Sequence, residues 1–256
     1  MTLSKQLTGK RVLVYGGGTG LGFACAWAMA EQGASIFLSG RREGVLRKAA
    51  EQLSKICRVA FEPGDATVVA DIQRVTGKAV AAMEGLDTLV ISAGTSGRTS
   101  IFDAEPEYFQ GIVDHNIRPV FLASRYAVAH LLQAGGGSII AISSMYGLVG
   151  QKERAAYCTA KAGVIGMVRA IALDLADKGV RANAICPGFV ETELAVAVAQ
   201  QEADPEAALR QRRMMHAIPR AGRAEEIGAA AVYLASDVSA FMTGQTMTLD
   251  GGYTIR

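Results

Sequence analysis

Arg11-Val12-Leu13-Val14-Tyr15-Gly16-Gly17-Gly18-Thr19-Gly20-Leu21-Gly22 is the stretch on which the fold turns. A short run rich in β-branched residues predicts a strand over 11–15, and an apolar pattern with helical period follows over 21–32. Between them lie five glycines in seven residues. A glycine-rich turn joining a first strand to a first helix lets the backbone approach a pyrophosphate, whose charge is favoured by the free N–H groups of the helix start. Gly16, Gly18, Thr19, Gly20, Leu21 and Gly22 are therefore expected to hold a dinucleotide. The plain alternative is a structural turn.

The same strand-then-helix rhythm continues outward. Strands are expected at 35–39, 58–62, 87–92, 138–143, 181–185 and 246–250, with helices over 43–56, 68–83, 106–132, 155–178 and 224–235. Such repetition implies parallel strands with right-handed crossovers. Leu89-Val90-Ile91 and Ile139-Ile140-Ala141-Ile142 are apolar without alternation, as befits central strands covered on both faces. The expected fold class is α/β, a Rossmann-type doubly wound parallel sheet of about seven strands in one domain spanning 1–256. Residues 191–220, rich in Ala, Gln, Glu and Arg around Asp204-Pro205, interrupt the rhythm and read as an inserted helical lid over the substrate.

With 256 residues, half of them hydrophobic, the chain suits one large core. A net charge of +2, spread along the sequence, offers no basic stripe for a phosphate backbone, so nucleic acid is not an expected partner. The polar stretch 1–10 does not read as a signal peptide, and no later segment approaches the ~20 apolar residues of a membrane span. A soluble, cytoplasmic protein without a membrane partner is expected. Cys25, Cys57, Cys158 and Cys186 have neither disulfide-framework nor metal-ligand spacing, so no metal is expected.

The end of the second strand bears on which dinucleotide binds. A carboxylate there would accept from the adenosine ribose and repel a 2′-phosphate, but the sequence is Ser39-Gly40-Arg41-Arg42. Guanidinium groups grip phosphate with charge-assisted forks, so Arg41 and Arg42 favour NADP(H) over NAD(H). They would equally suit the solvated start of the next helix, and NAD could still bind. Asp65, followed by Ala66, is placed to accept from the adenine amine or to cap the following helix.

Tyr157 and Lys161 are four residues apart, so a helix stacks them on one face. An ammonium about 4 Å from a phenol contributes about 4 kcal/mol at an effective dielectric of about 20, enough to bring a tyrosine into use as an acid and base where water is excluded. Taken alone, this pair is equally an ordinary surface pair.

Taken in order, Gly16-x-x-x-Gly20-x-Gly22, Ala93-Gly94, Asn116, Ser143-Ser144, Tyr157-x-x-x-Lys161, Pro187-Gly188 with Thr192, Thr243-Gly244-Gln245 and Asp250-Gly251-Gly252 resemble the short-chain dehydrogenase/reductase family over essentially the whole chain, as in its 3-oxoacyl-carrier-protein reductases and alcohol dehydrogenases. The resemblance implies an NAD(P)(H)-dependent oxidoreductase that interconverts a ketone or aldehyde and a secondary alcohol. It implies a catalytic tetrad of Asn116, Ser144, Tyr157 and Lys161. Tyr157 acts as general acid and base, Ser144 holds the substrate oxygen, and Asn116 seats a water that relays protons toward Lys161. Strand alternation turns Ser143 away. Lys161 also holds the nicotinamide ribose, while Ser92, Ala93 and Gly94 border the cofactor. Pro187, Gly188, Val190 and Thr192 grip the carboxamide. A homotetramer, assembled through the helices around Asn116 and Tyr157 and through the carboxy-terminal strand and tail, is also implied.

Two positions depart from the family pattern. Tyr15 stands where the family usually has Thr, and Ser92 where it usually has Asn; a serine supplies less hydrogen-bonding capacity than an asparagine. Thr19 is not the basic residue that many NADP-dependent members carry before the second glycine, which leaves more to Arg41. Enoyl reductases usually space their tyrosine and lysine more widely. The alternative to an enzyme is a dinucleotide-binding sensor on the same scaffold without turnover, but such proteins typically lose the tyrosine or lysine. Substrate identity lies in loops without motifs, at 95–99, 145–154 and 191–220.

Overall fold

Seven strands, β1 (Arg11–Tyr15), β2 (Ser35–Gly40), β3 (Val59–Pro63), β4 (Thr88–Ile91), β5 (Gly137–Ile142), β6 (Val180–Pro187) and β7 (Thr246–Leu249), form one parallel sheet in the order β3-β2-β1-β4-β5-β6-β7. The computed structural model describes residues 5–200 and 202–255. Residues 1–4 of the polar amino-terminal stretch, residue 201 of the insertion and residue 256 lie outside the described residues.

Alternation within each strand divides the core into two layers. Leu13 and Tyr15 of β1 point to one face, with Leu89, Ile91 and Ile139, and are covered by α3 (Val69–Met83), α5 (Arg118–Gln133) and α6 (Ala155–Leu175). Val12 and Val14 point to the other, with Ile36, Leu38, Val90 and Ile140, under α1 (Gly20–Glu31), α2 (Glu43–Leu53) and α9 (Ala224–Ala235). Every residue of β4 is buried, as expected from its unalternating composition. The strand order reverses between β1 and β4, and the carboxyl ends of these two strands part to open a crevice.

A single helix expected over 106–132 is instead two, α4 (Pro106–Asn116) and α5. Pro119 has no N–H to offer the carbonyl of His115 and its ring clashes there. The Asn116 side chain adds to the break by donating from Nδ2 to the Ile112 carbonyl at 2.9 Å, the acceptor one turn back. Asn116 thus stands at the end of a helix, beside the crevice.

The segment 191–220 contains α7 (Glu193–Ala199) and α8 (Pro205–Met214). Thr192 caps the first by accepting from the Ala195 N–H at 3.3 Å, and Asp204 caps the second by accepting from Ala207 at 2.9 Å, with proline in the first turn. One membrane-span expectation needs correction: residues Ala155–Lys178 are long and apolar enough to cross a bilayer by length and composition. The stretch is a core helix here, with Ala156, Ala160, Val164, Ile165, Val168 and Ala172 buried.

Candidate active site

The crevice is a cleft of about 620 Å³ at the carboxyl ends of the strands. Its floor is the glycine turn. Gly16 adopts φ +78° and Gly20 φ +56°, the left-handed region that glycine enters without penalty. Gly22 packs so closely that a Cβ there would lie 2.1 Å from the Gly16 carbonyl oxygen, which no side chain tolerates. Gly16, Gly18, Thr19, Gly20 and Leu21 line the cleft, and Gly22 is buried beneath them. No side chain caps α1 and no acidic residue sits in its first turn, so the positive end of the helix is left open to the cleft.

Along the far end lie Arg41, Arg42, Asp65 and Ala66. Both arginines are exposed, and among the described residues neither forms an ion pair. Asp65 uses Oδ1 to accept from the Thr67 N–H at 2.8 Å and the Thr67 hydroxyl at 2.7 Å. Burial pushes its carboxyl up, but these bonds, with Arg41 nearby, outweigh that and leave it below the usual carboxylate range. The N-cap of α3 is Val68, so Asp65 shapes the approach to that helix through an Asx turn.

Ser92, Ala93 and Gly94 follow β4 and border the middle of the cleft. The peptide joining Ser92 and Ala93 lies against Gly16, with the Ala93 nitrogen 2.7 Å from where a Gly16 Cβ would be. Tyr15 borders the cleft, but its hydroxyl turns into the core, 2.9 Å from Thr76 Oγ1 and donating to the Ile72 carbonyl at 3.2 Å. The departure at Tyr15 therefore ties β1 to α3.

Asn116, Tyr157 and Lys161 meet on one wall. Lys161 is 6% exposed, and its ammonium donates to the Ile142 carbonyl at 3.1 Å. Burial pulls it down to about 8 from an ordinary 10.5. Asn116 Oδ1 is buried with no partner among the described residues. Above Gly94 these two groups converge: a Cβ added there would lie 2.8 Å from Asn116 Oδ1 and 3.5 Å from Lys161 Nζ. A buried acceptor without a partner beside a buried ammonium with one acceptor is a place for a water or a ligand hydroxyl.

Two cations lie near the Tyr157 ring, Lys161 Nζ 5.7 Å and the Arg154 guanidinium 5.8 Å from its centre. Burial pushes its phenol above the ordinary tyrosine value, while Ser144 and Arg154 pull the other way. The chain's own groups thus leave this phenol protonated, in contrast to the lysine-driven depression expected from the spacing. Contrary to the expectation from strand alternation, Ser143 rather than Ser144 lines the cleft, but the Ser143 hydroxyl is committed to the Lys161 carbonyl at 2.8 Å. Ser144 Oγ accepts from the Tyr146 N–H at 3.2 Å, capping a short turn over Met145–Gly147, and keeps its own proton for another acceptor.

Thr192 lines the cleft opposite Gly20, whereas Pro187, Gly188 and Val190 stand behind it. What positions that turn was not readable from motifs. His216, 3% exposed, lies 2.6 Å through Nδ1 from the Asp250 carbonyl and accepts at Nε2 from the Phe189 N–H at 3.3 Å. These partners fix the neutral Nδ1–H tautomer and prop the turn. His115, Thr95 and Ser96 also line the cleft, and a lone histidine or loop hydroxyl carries no spacing signal that would single it out.

A doubly wound sheet with a glycine turn at its switch point defines a nucleotide-binding α/β protein. A family profile described as Enoyl-(Acyl carrier protein) reductase matches residues 16–254. The 2-(S)-hydroxypropyl-CoM dehydrogenase 3 of Xanthobacter autotrophicus is 36% identical over 98% of this chain and 99% of its own, and the 3alpha-hydroxysteroid dehydrogenase of Mediterraneibacter gnavus is 34% identical over 96% and 97%. A crystal structure of a short-chain type dehydrogenase/reductase from Mycobacterium marinum superposes with a TM-score of 0.92 at 31% identity, covering 99% of this chain and 98% of that one. The chain belongs to the short-chain dehydrogenase/reductase family, whose members are NAD(P)-dependent oxidoreductases acting on CH–OH groups.

Proposed function

We propose that this protein interconverts a ketone or aldehyde and a secondary alcohol, with NADP(H) preferred over NAD(H) and Tyr157 as the general acid and base. The observation that carries the reading is the meeting of Asn116, Tyr157 and Lys161 on one wall of a cleft floored by the glycine turn. The residues present fit a nicotinamide dinucleotide. An uncapped helix start favours its pyrophosphate, and the unpartnered Asn116 Oδ1 beside Lys161 leaves polar capacity to be met. Ser92, Ala93, Gly94 and Thr192 would border it; Pro187, Gly188 and Val190 support the turn from which Thr192 extends.

When bound, the dinucleotide supplies or accepts the hydride. In reduction, the Tyr157 phenol donates its proton to the carbonyl oxygen, and the Ser144 hydroxyl donates a hydrogen bond to the same oxygen. Lys161 holds positive charge beside the phenol as it loses its proton, and Asn116 fixes the polar group through which that proton is replaced. In oxidation the same residues act in reverse. The four-residue spacing of Tyr157 and Lys161 supports carbonyl over enoyl chemistry. The test is consumption of NADPH with a panel of ketones, followed by absorbance; binding without turnover of any would overturn catalysis.

Arg41 and Arg42 carry the cofactor preference, because they line the cleft without an ion-pair partner among the described residues, where β2 ends on Gly40 rather than on a carboxylate. Arg41→Ala is expected to weaken NADPH about 10- to 100-fold, the worth of a charge-assisted hydrogen-bonded pair, and NADH far less. Titration of both cofactors checks this, and an unchanged affinity ratio would discard the assignment. We read 191–220 as the substrate lid and the cytoplasm as the working compartment, which appearance of the protein in a membrane or secreted fraction would refute. A homotetramer is supported by exposed Phe121 and Leu173 on α5 and α6, and by Phe241 and Ile255 flanking β7. Sedimentation equilibrium should give four times the chain mass, and a monomer would refute it.

A further inference from the structure

Thr95 and Ser96 of the loop after β4 and Thr192 and Glu193 at the start of the insertion line one side of the cleft, the stretch 145–154 lies beside them, and a network of charges joins the three segments. Arg98 pairs with Glu153 at 2.7 Å and with Glu202 at 3.3 Å, and Arg212 pairs with the same Glu202 oxygen at 3.0 Å. Arg154 belongs to this region but not to the network. Among the described residues no carboxylate pairs with it, because Glu153 and Glu202, the acidic groups of that network, are taken by other cations. Arg98 and Arg212 share Glu153 and Glu202, and Arg154 has no anionic partner of its own among the described residues.

The Arg154 guanidinium is half-buried and held in place. Arg154 Nη1 donates to Ser96 Oγ and to the Gly97 carbonyl, both at 3.0 Å, and the guanidinium lies 5.5 Å from the Tyr146 ring centre and 5.8 Å from that of Tyr157. Nε and Nη2 form no hydrogen bond among the described residues, so a fixed fork keeps donors unspent. A guanidinium taken partly out of water with unused donors is costly unless something anionic meets it. Burial also works against loss of the Tyr157 proton, and Arg154 is one of the groups that oppose it.

We propose that Arg154 anchors an anionic oxyacid group, a carboxylate or a sulfonate, on the substrate, so that the preferred substrates are short oxo acids and the corresponding hydroxy acids. This rests on the reading that Tyr157 faces the reacting carbonyl. An anion on the Arg154 fork would fix the chain of the substrate with its carbonyl at the phenol, and planar guanidinium suits such oxygens because two parallel bonds form at once.

The experiment compares an oxo acid such as 4-oxopentanoate, the corresponding oxo sulfonate and the neutral methyl ester of the acid, each reduced with NADPH by the wild-type enzyme, Arg154→Gln and Arg154→Lys. At least one anion should be preferred over the ester in kcat/KM by about 10- to 100-fold. Arg154→Gln should erase that preference mainly through KM, and Arg154→Lys, which keeps the charge without the fork, should restore part of it. The two anionic arms distinguish carboxylate from sulfonate recognition. A wild-type enzyme that uses the ester as well as either anion overturns the proposal, as does an Arg154→Gln variant that loses all three activities equally, the behaviour of a purely structural clamp on the 96–97 loop. Turnover of none of the three by an enzyme that reduces other ketones also overturns the proposal, whereas turnover of no ketone at all removes the carbonyl-reductase reading on which it stands.

Discussion

Replacing Tyr157 by phenylalanine should lower turnover by about three orders of magnitude or more while leaving the affinity for NADPH nearly unchanged. The ring remains available to fill its place near Lys161 and Arg154, so packing on that wall is conserved and only the hydroxyl and its proton are lost. Equilibrium titration of NADPH and single-turnover kinetics separate the two effects. Turnover close to wild type would remove Tyr157 from proton transfer. A pH profile adds a second reading. Because burial holds the phenol above its ordinary value, the protein at neutral pH carries the proton that carbonyl reduction consumes. Alcohol oxidation needs the phenolate, so its rate should climb into the alkaline range, whereas reduction should be flat near neutrality and fall as the phenol titrates. Arrival of a bound positive charge near the ring would draw both limbs to lower pH.

Lys161→Met should give a protein that is inactive yet more resistant to heat. Burial holds the Lys161 ammonium at about 8, against 10.5 when free. Such a gap corresponds to about 3 kcal/mol of penalty on the charged form in the folded state. The sign follows from proton counting: below about 8 both states carry the proton and the full penalty is present. Between about 8 and 10.5 the unfolded chain binds more protons than the folded one, so stability rises with pH and the penalty is relieved. Methionine fills similar space without charge, and gives up the hydrogen bond to the Ile142 carbonyl and the approach of the ammonium to the Tyr157 ring, which together are worth less than the charge penalty. The variant should therefore melt a few degrees above wild type near pH 7, with the difference shrinking as pH approaches 10. Thermal melts across that range check it. A variant less stable than wild type at every pH would mean that the ammonium is a net structural asset. The gain in stability with loss of activity would mark Lys161 as a group retained for chemistry at a cost to folding.

The sheet was legible because its strands are short apolar runs separated by helical periodicity, and because a glycine-rich turn joins the first strand directly to the first helix. The break between α4 and α5 was less so, although Pro119 was in plain view. A proline within an apolar, helix-patterned stretch reads equally as a kink, and only the back-bond from Asn116 to Ile112 shows why the chain interrupts there. The order of Asn116, Ser144, Tyr157 and Lys161 pointed to a common site, but the direction of the Tyr157 shift did not follow from its spacing. It depends on how much of the ring is dry, and that is set by residues from other elements. His216 and Arg154 were invisible for a similar reason. One matters through the turn it props, the other through the pairing of Glu153 and Glu202 with Arg98 and Arg212, and neither relation is local in sequence.

The hydrogen bonds that lock β5 to α6, from Ser143 to the Lys161 carbonyl and from Lys161 to the Ile142 carbonyl, run in opposite directions across one junction. Strand end and helix act as one rigid bracket for the groups we assign to proton handling. The segments to which we assign the substrate are instead surface segments fastened by ion pairs. Natural variation can remodel those segments without disturbing the bracket, which makes a scaffold of this kind prone to acquire new substrates while its chemistry stays fixed.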